Sequence, residues 1–274
     1  MSKELVEFNI HYETRNSFDI YEPYYNILIM NKSVSFTIDL LKDTTSDLTI
    51  VFLSPYQHFK MLNTQSTVAM IKFHGDFYCI EYHKREVACN GVLFNNIYEQ
   101  PSLAVSNEIY EELITLFKKL SQINLHKTNY DLPIIKTYLQ LLLAICSKEK
   151  LINIKNKDKS TNYYMEGLHF QDILENNFLN SKNVKFYAEK YGVAVDSFSK
   201  KIKKQYGRSP LQLINERIIL ESKRMLHLST DPIKTIAWKL NFRDEYYFSR
   251  FFKKHVGVSP KIFREKVGIA AIAK

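Results

Sequence analysis

Two short segments near the C-terminus place cationic and hydroxyl side chains at the spacing of one helix face. In each segment these residues recur at intervals of three and four, so they lie side by side on a helix. The first set is Asp196, Ser199, Lys200 and Lys203, and the second set is Tyr246, Ser249, Arg250 and Lys253. A helix with such a face fits the major groove of DNA, where an arginine can pair with guanine. The alternative is an ordinary surface helix whose lysines are solvated.

Both segments belong to an internal duplication, which favours the DNA-binding interpretation. The stretches FSKKIKKQYGRSP and FSRFFKKHVGVSP, residues 198–210 and 248–260, are offset by 50 residues and identical at seven of thirteen positions. A weaker match upstream joins VKFYAEKYGV to IKTIAWKLNF. Gly192 and Asn241 follow the first helix of each copy, where a residue with positive φ is needed. Each copy therefore predicts a helix-turn-helix unit.

A helix between the two copies is expected to set the distance between them. Ser209 can cap this helix and Pro210 can occupy its first position. About 17 residues at about 1.5 Å each make a rod of roughly 25 Å, which suits two recognition helices in successive major grooves. Thr230 or Asp231 is expected to cap the next helix, with Pro232 at its start.

The positive charge is concentrated in the same third of the chain. Of the 274 residues, 181–274 include 21 Lys and Arg against 8 Asp and Glu, whereas 1–180 include 17 against 21. This asymmetry predicts a polyanionic partner, here double-stranded DNA. The sequence shows no signal-peptide segment and no apolar run that could span a bilayer, and three cysteines suit a reducing compartment. A cytoplasmic protein with no membrane partner is therefore expected.

The first half of the chain predicts a β-domain followed by a helical hairpin, so the expected fold class is α+β. Strands are predicted at VSFTIDLL, LTIVFLS, STVAMIKF, FYCIEYH and GVLFNN, which suggests a small β-barrel or sandwich. From Ser106 the period becomes helical, and two apolar helices form a hairpin over about residues 106–150. A domain over 1–152, a polar linker over 153–165 and an all-α domain over 166–274 are expected.

The hairpin predicts a homodimer, because each of its helices has a continuous apolar face. The residues of these faces are Ile109, Leu113, Leu116 and Leu120 on the first helix and Ile135, Leu139 and Leu142 on the second. The alternative is that both faces pack on the β-domain.

The segment DPIKTIAWKLNFRDEYYFSRFFKKHVGVSPKIFRE, residues 231–265, resembles the C-terminal signature of the AraC/XylS family of bacterial transcription regulators. The resemblance covers residues 167–267 and implies a cytoplasmic, sequence-specific DNA-binding protein of the activator type that acts with RNA polymerase. The base-contacting positions of the family correspond here to Asp196, Ser199, Lys200, Glu245, Tyr246, Ser249 and Arg250. Phosphate contacts are expected from Lys203, Lys204, Lys253 and Lys254.

Three positions depart from the family pattern. Lys200 replaces a frequent arginine, and its ammonium group lacks the planar fork, so its base specificity should be looser. Ala194 replaces the usual serine cap of the first recognition helix, and Asp196 is an alternative cap that would shorten the helix. Asn241 replaces a glycine, which is a mild change.

The N-terminal half resembles the cupin-like effector domains of some family members at FLSPYQHF, DFYCIEYH and CNGVLFNN. The resemblance implies a half-cupin barrel that binds a small-molecule effector, followed by a hairpin that serves dimerisation. Ordinary core packing of the same aromatic residues is the alternative. The predicted pocket residues are Phe36, Phe52, His58, Phe73 and Tyr82.

A metal site is a competing hypothesis for the β-domain. Ligand types are present, but none of the familiar metal-binding spacings occurs, so no metal and no cofactor is expected. The candidate ligands are His58, His74, Cys79, His83 and Cys89. No catalytic residue is predicted, because no nucleophile with its base and no phosphate-binding loop appears. The alternative function is a cupin-type metal-dependent enzyme with a regulatory DNA-binding tail.

Overall fold

The structure is a computed structural model that describes residues 6–11, 18–39, 41–45, 48–62, 66–78, 92–123, 128–158 and 162–269. The chain divides into two compact units. The first unit consists of residues up to Asn96, of Gln100–Ile152 and of the C-terminal residues from Lys266. The second unit consists of Ile97–Glu99 and Asn153–Glu265. The predicted α+β class is confirmed, because antiparallel sheets form in the first unit and a succession of helices forms the second.

Within the described residues, the strands of the first unit form two antiparallel sheets. The five-stranded sheet has the order β1 (Val6–His11), β8 (Val68–Phe73), β3 (Tyr25–Met30), β6 (Thr49–Leu53) and β9 (Ser102–Ala104). The four-stranded sheet has the order β2 (Asp19–Ile20), β7 (Phe59–Met61), β4 (Ser35–Ile38) and β5 (Leu41–Thr44).

Both faces of the five-stranded sheet are buried. Successive residues of a strand point to opposite faces, and here Ile27 and Phe52 face the helical hairpin. Leu28 and Val51 face the four-stranded sheet, which contributes Phe36 to the same core cluster. The first unit therefore has three layers. Apart from Asn26, Thr49 and Lys72, its central strands β3, β6 and β8 are apolar on both faces, which is why alternation in the sequence did not reveal their register.

Two predicted strands show no strand in the parts that the structure describes. Phe77 and Tyr78, in the stretch FYCIEYH, lie in a turn after β8, and the rest of that stretch lies outside the described residues. Residues 92–95, in the stretch GVLFNN, form bends. Phe77 and Phe94 are buried in the core cluster shared with the hairpin. Their aromatic character thus reflects burial rather than extended backbone.

The hairpin consists of α1 (Asn107–Gln122) and α2 (Asp131–Asp158). Ser106 caps α1 by accepting a hydrogen bond from the backbone N–H of Ile109. The apolar faces that predicted a homodimer are buried against the five-stranded sheet, with Leu113 and Leu139 among the core residues. The alternative interpretation of these faces is therefore confirmed. The homodimer stays a prediction and requires another surface.

The second unit includes the helices that carry the duplicated segments. The helices are α3 (Asn162–Asn177), α4 (Val184–Tyr191), α5 (Val195–Tyr206), α6 (Pro210–Leu228), α7 (Ile233–Lys239), α8 (Glu245–Val256) and α9 (Pro260–Val267). Residues 153–158 continue α2 and residues 162–165 begin α3, so most of the segment predicted as a linker is helical. Lysine favours helix nearly as well as leucine, which permits a polar helix there.

Candidate nucleic-acid interface

The first recognition helix, α5, is anchored by one apolar face. Phe198, Ile202 and Tyr206 recur at intervals of four and are buried. The turn before α5 contains Gly192 at a φ of 81°, which confirms the predicted need for positive φ. The opposite face of α5 is left at the surface of the unit.

The start of α5 differs in part from expectation. The helix begins at Val195, and Ala194 occupies the N-cap position in extended conformation without a side-chain hydrogen bond. Asp196 lies in the first turn, so the alternative in which it caps and shortens the helix is wrong. In that turn its carboxylate faces the positive end of the helix dipole, which is a favourable position for it.

The outer face of α5 presents the predicted contact residues. Asp196, Lys200, Lys203 and Lys204 are exposed, and Ser199 is half-buried. Lys200 and Lys203 form no ion pair within the described ranges. Ammonium groups without carboxylate partners attract phosphates and release counterions when they bind DNA.

The second recognition helix, α8, has a stronger start. Asp244 accepts hydrogen bonds from the backbone N–H groups of Tyr246 and Tyr247, with N–O distances of 3.1 and 2.8 Å. Phe248 and Phe252 are fully buried beneath the helix. The capping role of Asp244 was missed in the sequence, although an Asp directly before a periodic helix is a recognised signal.

The outer face of α8 carries the remaining contact residues. Tyr246, Arg250, Lys253 and Lys254 are exposed, and Glu245 and Ser249 are half-buried. Tyr246 is 75% exposed, so its ring does not pack in the protein core. Arg250 has no carboxylate partner among the residues that the structure describes. Its guanidinium fork is therefore available for a bidentate hydrogen bond to a base edge.

The helix α6 joins the two recognition units. Its 19 residues correspond to roughly 28 Å at about 1.5 Å per residue. Ser209 and Gln212 form a capping box, in which the Ser209 backbone N–H donates to the Gln212 side chain at 2.8 Å. The predicted cap at Ser209, with Pro210 following it, is thus confirmed.

The start of α7 shows a different arrangement from the one predicted. Pro232 occupies the N-cap position and no side chain caps the helix, so the expected cap by Thr230 or Asp231 is wrong. The Asp231 carboxylate instead accepts a hydrogen bond from Lys239 at 2.7 Å. That hydrogen bond holds the pKa of Asp231 below its ordinary value.

Several arginines of the basic region are used inside the second unit. Arg208 is buried and donates to Glu216 and to the backbone carbonyl of Ile97, both at 2.6 Å. Arg217 donates to Glu175 at 2.8 Å. These cations stabilise the fold and are not available to a polyanion.

Two further arginines hold the end of α6 and the start of α7. Arg224 donates to Glu221 at 3.0 Å, and Arg264 donates to the backbone carbonyl of Asp231 at 2.6 Å. Burial alone would raise the pKa of Glu221, but the hydrogen bond and charge of Arg224, together with Arg217, lower it overall. The count of charged residues in the sequence could not distinguish these internally paired arginines from exposed cations.

The predicted effector-pocket residues do not all lie together. Phe52 and Phe73 belong to the core cluster between the five-stranded sheet and the hairpin, whereas Phe36 belongs to the cluster between the two sheets. His58 lies at the surface and its ring nitrogen pairs with Asp19 at 2.7 Å. Tyr82 lies outside the described residues. The four described residues therefore do not lie together in one cluster, contrary to the prediction.

The competing metal hypothesis gains no support from the described ranges. There, no group of three His, Cys, Asp or Glu side chains comes together. His74 is buried and its Nε2 lies 2.6 Å from the backbone carbonyl of Lys266. Cys79, His83 and Cys89 lie outside the described residues. In the same ranges, no helix is long and apolar enough to cross a membrane.

Comparison with known proteins supports the helix-turn-helix assignment. Residues 187–266 match the family described as a helix-turn-helix domain. The chain is 24% identical over 128 residues to the HTH-type transcriptional activator RhaS of Escherichia fergusonii, which covers 47% of this chain and 44% of that protein. RhaS of Escherichia coli O6:H1 is 22% identical over 226 residues, or 74% of this chain and 77% of that protein.

The matches with the first relatives are partial, and the solved structures are distant. The chain spans about half the length of these first curated relatives, 44% and 56% for two RhaS proteins. A solved structure of ToxT from Vibrio cholerae is 16% identical, with a TM-score of 0.42 over 97% of this chain and 100% of that chain. The duplicated helix-turn-helix geometry and the match over residues 187–266 show a helix-turn-helix domain of the AraC type, in agreement with the AraC/XylS resemblance of residues 231–265.

Proposed function

We propose that this protein is a sequence-specific DNA-binding regulator of transcription that places α5 and α8 in two successive major grooves. One observation carries the proposal. Lys200 and Lys203 of α5 and Arg250 of α8 are exposed and have no carboxylate partner in the described ranges, whereas Arg208 and Arg217 of the same unit are paired within the fold. A positive face on a helix of this kind fits the phosphate backbone and base edges of a duplex.

The proposed contacts divide into base-reading and phosphate-binding groups. Arg250 forms a bidentate pair with a guanine, and Lys200 supplies weaker discrimination because its ammonium group has no fork. The base-reading group is Asp196, Ser199, Lys200, Glu245, Tyr246, Ser249 and Arg250. The phosphate-binding group is Lys203, Lys204, Lys253 and Lys254.

The proposed regulation is activation through RNA polymerase, in keeping with the RhaS relatives, which are named as transcriptional activators. Residues 166–274 form the DNA-binding domain in this proposal, and residues 1–152 form a regulatory domain that responds to a small-molecule effector. An effector acts on transcription only if it binds one state of the protein better than another. The function requires no catalytic residue, so the protein is not an enzyme.

A homodimer is proposed through the outer face of α2, which we name the outer α2 stripe. Ile134, Leu141 and Ile152 are 43%, 46% and 40% exposed, and Tyr138 and Ile145 are half-buried beside them. In chain order, the first four positions follow the alternating intervals of four and three that characterise a coiled-coil seam, and Ile152 follows Ile145 by seven residues, with Lys148 at the position between them. A second copy of the chain, contributing the same stripe, would cover these residues by a two-fold contact.

The DNA-binding proposal is tested by the salt dependence of affinity. Genome-wide mapping of bound sites first identifies a cognate duplex, and the affinity is then measured across a range of salt concentrations. Six to ten neutralised phosphates predict a log–log slope of about −5 to −9. An affinity that does not change with salt would contradict the proposal.

A further inference from the structure

We propose that the α3–α4 loop, residues 178–183, is a second connection between the two helix-turn-helix units and that Asn241 and Lys182 are positioning residues that set the half-site spacing the protein accepts. This inference rests on the proposed DNA-binding function. The observation behind it is that the loop is fixed to the first helix-turn-helix unit at one end and to the second at the other.

The contact with the first helix-turn-helix unit is made by Tyr187 of α4. Its side chain is fully buried, and its hydroxyl donates to the backbone carbonyl of Ser181 at 2.8 Å. The backbone N–H of Ser181 in turn donates to the carbonyl of Asn177 at the end of α3. The loop therefore moves with α3 and α4 as one body.

The contact with the second helix-turn-helix unit is made by two neighbouring residues of the α7–α8 turn. The side-chain amide of Asn241 donates to the backbone carbonyl of Leu179 at 3.0 Å. The Lys182 ammonium lies 3.0 Å from the centroid of the Phe242 ring, within the range of a cation–π contact. The Phe242 ring is buried and also contacts Phe248 of α8 at 5.2 Å between centroids. The loop is thus connected to the second recognition helix through one ring.

Asparagine at position 241 does more than accept the backbone conformation. Its φ is 57°, which glycine would adopt at least as readily. Glycine, which the family pattern favours here, has no side chain to reach Leu179. Asn241 therefore satisfies the turn and adds a hydrogen bond between the two helix-turn-helix units.

A second connection has a mechanical consequence. The helix α6 sets the separation of the recognition helices, and it packs against α5 of the first helix-turn-helix unit and against α7 and α8 of the second. The α3–α4 loop connects the same two helix-turn-helix units at a different point. Two separated connections restrict both the rotation of one helix-turn-helix unit relative to the other and the distance between them. The two recognition helices therefore match only one spacing between the two half-sites of the duplex.

The experiment measures affinity for a series of duplexes with the full chain. The parent duplex is selected from random DNA by the wild-type protein, and the series inserts or removes one base pair between its two half-sites. The proteins compared are the wild type, Asn241→Gly, Lys182→Met and the control Lys185→Met. Asn241→Gly keeps the positive φ and removes only the amide. Lys185→Met removes an exposed lysine of the same surface, which pairs within α4 with Glu189.

In the wild type and in Lys185→Met, we expect the parent duplex to bind better than either altered spacing. In Asn241→Gly and Lys182→Met the ratio of these affinities should fall about three- to tenfold, the range of one lost hydrogen bond or cation–π contact. An unchanged ratio in both variants overturns the inference. An equal loss at every spacing also overturns it, because that result indicates a merely stabilising role.

Hydrogen exchange in the free protein tests the connection independently of DNA binding. In Lys182→Met, faster exchange in the α7–α8 turn as well as in the α3–α4 loop shows that the loop connects the two helix-turn-helix units. Faster exchange confined to the loop overturns the connection. If the wild type binds no duplex in a salt-dependent way, the proposed function fails, and the exchange rates still decide whether the connection exists.

Discussion

At the scale of single residues, identical side chains in the basic third of the chain have different roles. Arg208 and Arg217 are paired with Glu216 and Glu175, whereas Arg250 is exposed on the outer face of α8. An arginine that is already paired with a carboxylate of the fold must break that pair before it can donate to a base. Arg243 is also exposed, but it precedes α8, so Arg250 on the outer face of that helix is the principal candidate for base reading.

Substitution of Arg250 should distinguish contacts with base edges from electrostatic contacts with the phosphate backbone. We expect Arg250→Ala to lose about 1–3 kcal/mol at the cognate site and to relax preference at one base position. Lys254→Ala is the matched comparison, and it should weaken binding to all duplexes similarly and reduce the salt slope by about one. Competition binding with single-base variants of the site measures both effects. If Arg250→Ala lost equal affinity for cognate and random duplexes, Arg250 would be a phosphate contact and not a base contact.

Lys182 predicts a specific pH dependence of stability. Removal from water lowers its pKa to about 8 from an ordinary value of 10.5, while the Phe242 ring favours the charged form and opposes this change. Between these two pH values the unfolded state retains a proton that the folded state has released. The free energy of unfolding should therefore rise with pH through this group.

The measurement compares urea denaturation of the wild type and Lys182→Met at about pH 7.5 and about pH 9.5. The wild type should gain stability relative to the variant at the higher pH. A difference that is constant or that shrinks would show that the pKa of Lys182 is not lowered in the folded protein.

At the scale of elements, the two recognition helices are built alike but begin differently. Asp244 caps α8 with two hydrogen bonds, whereas Ala194 at the start of α5 supplies none. The backbone of Ala194 is already extended, with φ of −63° and ψ of 149°, which is the conformation that a capping serine adopts. The helix therefore lacks a side-chain cap only because alanine has no hydrogen-bond acceptor in its side chain.

A serine at position 194 should stabilise the second unit. We expect Ala194→Ser to raise the free energy of unfolding by about 0.5–1 kcal/mol, and Asp244→Ala to lower it by about 0.5–2 kcal/mol. Chemical denaturation monitored by far-UV circular dichroism measures both. No gain in Ala194→Ser would mean that the N–H groups at the start of α5 are satisfied in another way.

At the scale of the whole molecule, the outer α2 stripe predicts the oligomeric state. A charge placed in an apolar seam destabilises it, so Ile134→Glu with Leu141→Glu should convert a dimer to a monomer in sedimentation equilibrium. Leu62→Glu is the control, since Leu62 is 46% exposed but lies outside the stripe. A wild-type monomer at high concentration, or a dimer that survives the double substitution, would refute the proposed contact.

Much of the second unit was predictable because its signals are local. Helical periodicity and the turn residues Gly192 and Asn241 act over a few neighbouring positions, so they revealed both recognition helices and their outer faces. The first unit was less predictable. Phe77 and Phe94 have the composition of strand residues but lie in a turn and a bend, because burial selects aromatic side chains irrespective of backbone conformation.

The sequence by itself determined that the chain has a duplicated basic helix-turn-helix region behind a β-rich half, since repetition, period and charge are properties of order along the chain. Only the tertiary structure decided which surfaces remain open. It buried the hairpin faces that predicted a dimer, separated Phe36 from Phe52 by the thickness of a sheet, and joined Asn241 to Leu179 across the two helix-turn-helix units. Each of these outcomes depends on residues far apart in the chain, where packing and not local preference chooses the partner.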